Sequence, residues 1–162
     1  MKNDRMIAQL RKLRQRREDH AREVVAAHQT KVGEARHNVE AASRMLAEHL
    51  RRAIDEQNAA VSGLTSRVVK ATELHMAQSR YEASLTRAGQ IQAQGEAAVL
   101  VQQQREVELA EAQHRHVQSR KALLKLETLA EQVEKRTAPR RAATAELLDD
   151  DEGRIPHAPH EQ

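Results

Sequence analysis

The chain has no cysteine, phenylalanine or tryptophan, and Tyr81 is its one large aromatic side chain. A compact core in a 162-residue chain normally draws on several rings, each burying a large apolar area. Here that area must come from Ala, Val, Leu, Ile and Met in narrow stripes. Such stripes suit long helices and suit a globule poorly. The lack of cysteine excludes disulfide staples and thiolate chemistry, and it agrees with a reducing compartment. Three prolines and five isolated glycines leave long stretches in which nothing interrupts a helix. No Gly-Lys-Ser/Thr is present, so the phosphate-cradling loop of nucleotide hydrolases is missing. No run approaches the roughly 20 apolar residues that span a bilayer. The basic N-terminus is not followed by the apolar stretch of about 7–15 residues that marks a secretory leader. These absences predict a cytoplasmic protein that reaches a membrane only through partners.

What the sequence does contain is charge and helix-forming residues. Charged side chains make up 31% of the chain and the mean hydropathy is −0.80. Abundant Ala, Gln, Glu and Arg are typical of long helices and coiled coils. The net charge is only +3, yet it is unevenly spread. Met1 to Val25 carries eight Lys/Arg against four Asp/Glu, whereas Glu146 to Glu152 holds five acidic side chains and no basic one. Asymmetry of this kind marks different partners, or self-screening, at different places along a helix.

Periodicity organises the chain into two helices. The first is expected over about 4–58, with a seam at Val25, His28, Val32, Ala35, Val39, Ala42, Leu46, His49 and Ala53 in alternating steps of three and four. Ile7, Leu10 and Leu13 fall off that register, which reads as a stutter before Val25. Some 55 residues of helix would make a rod of roughly 80 Å. A turn is expected at about 59–65, where Gly63 can end one helix and Thr65 or Ser66 can cap the next. The segment Gly89 to Gly95 is the other candidate turn.

The second helix is expected over about 65–137. Its stripe includes Val68, Ala71, Leu74, Tyr81, Leu85 and Ala88, weakens through Gln92 and Gly95, and recovers at Leu100, Val107, Ala110, His114, Val117 and Leu124. It then drifts to Leu126, Leu129 and Val133 before Pro139 closes the helix. Residues 138–162 read as a disordered charged tail, in which Ala142 to Leu148 can form a helical turn. The fold class is therefore all-α: two long helices in an antiparallel coiled-coil hairpin. Ala, His and Gln occupy many seam positions where a stable zipper places Leu or Ile. Two readings stay open: a marginal hairpin ordered by a surrounding partner, or a hairpin whose alanines let the helices approach closely.

Few residues point to chemistry. Two exposed helices supply no rigid pocket for a nucleophile triad, so no enzymatic activity, catalytic residue or cofactor is expected. His114 and His116 are two apart and fall on different helix faces. His157 and His160 lie in the tail without further ligands nearby, so no metal site is expected. His28, His49 and His114 read as polar insertions in the seam. The strongest local signal is basic: Arg11, Lys12, Arg14, Arg16 and Arg17, flanked by Arg5 and Arg22. A solvated face, an acidic protein partner and nucleic acid are the three readings of this cluster. Missing aromatics for base stacking, and the interruptions at Glu18, Asp19 and Glu23, count against nucleic acid.

The layout as a whole resembles a known family. A basic, leucine-containing start (MIAQLRKLRQRREDHAREVV) leads into a long helix, a Ser/Gly/Thr turn, a longer second helix and a charged tail with prolines. Over residues 1–137 this is similar to the YscO/HrpO family of type III secretion proteins, relatives of flagellar FliJ. The resemblance rests on length, layout and composition, without a diagnostic motif. It implies a two-helix coiled coil like the stalk subunit of rotary ATPases. It also implies partners: the hexameric type III secretion ATPase, the export-gate protein of the inner membrane, and secretion chaperones. The expected place is the cytoplasmic face of the secretion apparatus, without direct membrane insertion, and the expected state is a monomer. Under it, Arg11, Lys12, Arg14, Arg16 and Arg17 would meet the ATPase pore together with Lys135 and Arg136. Flagellar relatives use aromatic and leucine positions on the hairpin body for the gate. This chain offers Leu46, Leu50 and Ile54 without a ring, and Tyr81 alone on the second helix, so Leu50, Ile54 and Tyr81 are the gate candidates by location. The competing reading is a generic coiled-coil scaffold, adaptor or chaperone that oligomerises through the Val25 to Ala53 seam.

Overall fold

A computed structural model describes Lys2–Glu152, with side-chain surroundings from Arg5 to Leu148. It contains two helices, α1 (Lys2–Thr65, 64 residues) and α2 (Ala71–Glu152, 82 residues). They pack against each other as an antiparallel coiled-coil hairpin, as the sequence predicts. The chain divides into two compact units, one formed by Arg22–His114 and the other by Met1–Ala21 with Arg115–Gln162.

In the Arg22–His114 unit, every predicted α1 seam position from Val25 to Ala53 is buried or half-buried. Val32 and Ala35 are the deepest, each 4% exposed. The facing seam of α2 differs from the predicted stripe. It runs through Ala77, Ser84, Ala88, Ile91, Gly95, Ala98, Gln102, Arg105, Leu109 and Ala112. Ala88 and Gly95 are shared with the prediction. The larger predicted residues Leu85, Leu100 and Val107 are instead 53–66% exposed. The cause is allocation: along α2 the three-four register falls on small and polar residues, while bulky apolar ones sit off it. Small residues let the two helices approach closely. A Cβ built on Gly95 would lie 3.7 Å from the Cβ of Ala42, at ordinary van der Waals contact.

In the second unit the α1 register continues upstream without a stutter, through Ala21, Glu18, Arg14 and Ile7. Leu10 and Leu13 are 42% and 46% exposed, so the expected shift of the apolar face does not occur. Glu18 takes a core position instead, 3% exposed. The α2 seam here passes through His116, Ser119, Leu123, Leu126, Ala130, Val133 and Thr137. His114, expected in the seam, is exposed, and His116 takes that place.

The ends of the helices also correct the sequence reading. The earlier of the two candidate turns is used, displaced to 66–70. Gly63 stays helical, and no described residue adopts a positive φ. Thr65 and Ser66 do not cap α2. The Thr65 hydroxyl donates back to the Val61 carbonyl at 2.9 Å and the Ser66 hydroxyl to the Gly63 carbonyl at 3.3 Å. The Ser66 bond thereby satisfies a carbonyl among the last four of α1, which lack α-helical donors, while the Thr65 bond adds a second donor to a carbonyl already bonded within the helix. Helix α2 starts where the Lys70 carbonyl accepts the N–H groups of Glu73 and Leu74. Glu73 in that first turn complements the positive end of the helix dipole. The segment Gly89 to Gly95 is continuous helix around buried Ile91.

Pro139 does not close α2, and the expected boundary at 137/138 is overturned: the helix runs through it to Glu152. Proline removes one backbone donor and crowds the carbonyl four residues earlier. The residues after it, Arg140 to Leu148, are mostly strong helix formers that resume the helix at once. The hydroxyl of Thr144 donates to the Arg140 carbonyl at 2.8 Å in that segment. The remainder of the expected tail, 153–162, lies outside the described residues.

Candidate interaction surfaces

The unit that joins Met1–Ala21 to Arg115–Gln162 brings the predicted basic residues into one body. Arg11, Lys12, Arg16 and Arg17 are exposed, as are Lys135 and Arg136 on α2, while Arg14 is half-buried in the seam. Arg11 reaches across to Glu127 at 3.4 Å, with its side chain still 61% exposed. Reading the sequence along its length missed Arg120, Lys121 and Lys125, which antiparallel pairing sets at the level of Arg11 to Arg17. All three are exposed. The available signal was a count: Arg115 to Arg141 holds eight basic side chains against three acidic ones. Both helices therefore contribute exposed basic side chains to this unit, which suits an acidic partner through charge alone.

The other unit carries an apolar groove beside the turn, about 680 Å³ in volume. Ala53, Val61, Leu64, Leu74, Ala77 and Tyr81 are among its walls. Of the three gate candidates only Tyr81 lines it; Leu50 and Ile54 are exposed on α1 outside it, at 44% and 57%. Leu74 and Met76, 56% and 54% exposed, are apolar members of this region that location alone did not nominate. Arg67 and Glu73, both on the groove wall, form an ion pair at 3.3 Å.

Polar ties cross between the helices within each unit. His116 donates from Nε2 to Oε1 of buried Glu18 at 2.9 Å. His28 lies 3.7 Å from Glu108, and Arg36 donates to Glu106 at 3.0 Å. His49 donates to the Ser84 carbonyl at 3.0 Å. Hydrogen bonds from Gln102 and then Arg36 hold the Glu106 carboxyl below its ordinary range, and Arg105 does the same for Glu108. Both carboxylates are thus fixed in the charged form at neutral pH. Among the described residues no three His, Asp or Glu side chains converge as metal ligands, and no helix is long and apolar enough to cross a membrane.

The architecture is that of a two-helix coiled-coil hairpin joined by a short turn. Among solved structures, this chain is similar to the type III secretion protein YscO from Vibrio parahaemolyticus. The match covers 93% of this chain and 94% of that one, with a TM-score of 0.78 and 17% sequence identity. At that identity the likeness concerns the fold. No protein-family model matches the sequence, and no curated protein matches it.

Proposed function

We propose that this protein is a non-enzymatic coiled-coil component of a type III secretion apparatus, linking its hexameric ATPase to the inner-membrane export gate. The observation that carries the reading is the near end-to-end likeness in fold to YscO, over 93% of this chain. The basic unit then serves as the ATPase-facing end: Arg11, Lys12, Arg16 and Arg17 act with Lys135 and Arg136, joined by Arg120, Lys121 and Lys125. An acidic pore lining would attract this surface over a Debye length of roughly 8–10 Å in ordinary salt. The apolar region near the turn, with Tyr81 and Leu74 in the groove and Leu50 and Ile54 beside it, serves as the gate-facing end. Apolar contact is the chemistry such a surface offers, and it does not depend on salt in the same way.

ATP hydrolysis by the candidate secretion ATPase, measured with and without this protein, tests the reading. Lys12, Arg16 and Arg17 are the residues to reverse to glutamate, because they are exposed whereas Arg14 shares the seam. Stimulation by the wild-type chain and its loss in the triple variant are the expected results. No stimulation and no binding to the assembled hexamer would overturn the proposal. The scaffold reading loses its expected mode of association, since α2 of the same chain already occupies the Val25 to Ala53 seam.

A further inference from the structure

Helix α2 has a second face, turned away from its seam, that no described residue covers. Gly89, Ala93, Ala97, Leu100, Gln104 and Val107 follow one another in steps of three and four, and all are exposed. Leu100 and Val107 are 66% and 59% exposed, and Val99 and Val101 flank them at 39% and 48%. Between Arg87 and Arg105 the chain carries a single charge, Glu96, although 31% of its residues are charged. Bulky apolar side chains on a solvated helix face, in a sparsely charged stretch of the molecule, mark a contact surface.

The order of residues on this face selects its occupant. The first half is small (Gly89, Ala93, Ala97) and the second half large (Leu100, Gln104, Val107). When the face is turned end over end about a point between Ala98 and Val99, Gly89 meets Val107, Ala93 meets Gln104 and Ala97 meets Leu100. Each small residue then receives a large one. This is the complementarity that an isologous two-fold contact requires, in which each residue of one copy meets the other member of the pair on the second copy. We propose that two copies of this chain associate through this face, α2 against α2, antiparallel. The inference is independent of any role in secretion.

The contact extends over about 27 Å of helix. A strip of that length is shorter than an interface burying the ~800 Å² per partner of a standard stable complex requires, so the proposed dimer is weak and reversible. The two Glu96 carboxylates fall on the same edge of the strip near its centre. Their repulsion weakens the dimer, and neutralising them strengthens it.

Sedimentation of the purified full chain from ~1 to ~300 µM, a span chosen for a small interface, tests the proposal. A monomer–dimer equilibrium is expected for the wild type. Ala97→Leu places two leucines against each other and should weaken dimerisation by about tenfold, as overpacking does. Leu100→Ala should weaken it similarly, and the double exchange A97L/L100A should restore it. Glu96→Gln should tighten it. General stickiness gives the opposite sign for Ala97→Leu, because added apolar surface would then strengthen association. Because the chain has no native cysteine, the pair A93C/Q104C reports geometry directly: it should cross-link two copies under mild oxidation, whereas A93C alone should not. A monomer at the highest concentration, tighter association of Ala97→Leu, or cross-linking by A93C alone would each overturn the proposal. Since the face lies opposite the seam, thermal unfolding of the variants below the dimer range confirms that the hairpin is intact.

Discussion

Replacing Gly95 by alanine should stabilise the hairpin. Gly95 is half-buried in the α2 seam, where a new methyl group would sit 3.7 Å from the Cβ of Ala42. Two terms have the same sign. Alanine in a helix interior is about 0.8–1 kcal/mol more favourable than glycine. A methyl group placed in contact rather than in water adds a few tenths of a kcal/mol, bounded by ~0.8 for full burial. The sum is about 1–1.5 kcal/mol, which for a chain of this size raises Tm by roughly 2–6 °C. Gly33→Ala supplies the reference, because nothing lies within 4 Å of the Cβ it would add. It should show the helix term alone, about 1 kcal/mol. The two substitutions are far apart, so their effects should add within about 0.5 kcal/mol. Urea denaturation followed by circular dichroism, at concentrations low enough for monomer, measures all three variants. If Gly95→Ala proves less stable than Gly33→Ala, the helices lie closer at Ala42 than the contact distance implies, and the close-packing account of the small α2 seam fails.

Removing one partner of the buried Glu18–His116 pair should be costly while removing both should not. Glu18→Ala or His116→Ala is expected to lose about 2–4 kcal/mol, whereas the double variant with leucine at both sites should match or exceed the wild type in a denaturation series. Glu106 and Glu108 have folded-state pKa values below their ordinary 4.5, so their contribution is fully present above that value and is lost as pH falls through the depressed values. Acid titration of stability should show this loss, and it should be shallower in Arg36→Gln, which removes both hydrogen bonds that Arg36 donates to Glu106. Pro139→Ala should strengthen α2 locally by up to about 3 kcal/mol. Slower amide exchange confined to the residues around 139 would report it, with little change in global unfolding because that segment is largely exposed.

The α1 seam was legible because nine consecutive three-four positions from Val25 to Ala53 hold residues that tolerate burial, and solvent-loving ones fall between them. The α2 seam was legible only in part, at Ala88, Gly95, Leu126 and Val133, for a physical reason. Ser84, Gly95, Gln102, Arg105, His116 and Ser119 occupy its register, while Leu100, Val107, Val117 and Leu124 stand outside it. A search for the richest apolar stripe therefore finds the wrong face of this helix. Upstream of Val25 the same search followed Leu10 and Leu13, although the register passes through Arg14 and Glu18. The turn was misplaced by a few residues because Gly63, Thr65 and Ser66 have side chains suited to ending a helix, and they do so from inside it. The basic residues of α1 were visible as a run. Their companions Arg120, Lys121 and Lys125 become neighbours only through antiparallel pairing.

The buried carboxylate of Glu18 also bears on how the hairpin finds itself during folding. Two heptad-patterned helices can pair in many alignments that differ by whole sevens, and chains with uniform seams risk settling in several of them. In this chain a slip of one heptad would carry Glu18 from His116 to Leu123 in one direction and to Leu109 in the other. Either error would take the Glu18 carboxyl off its His116 donor and set it against a leucine side chain that donates nothing, which disfavours the slipped alignments. Misaligned hairpins are thereby made short-lived, and a seam too poor in large apolar groups to select an alignment by packing alone still converges on one.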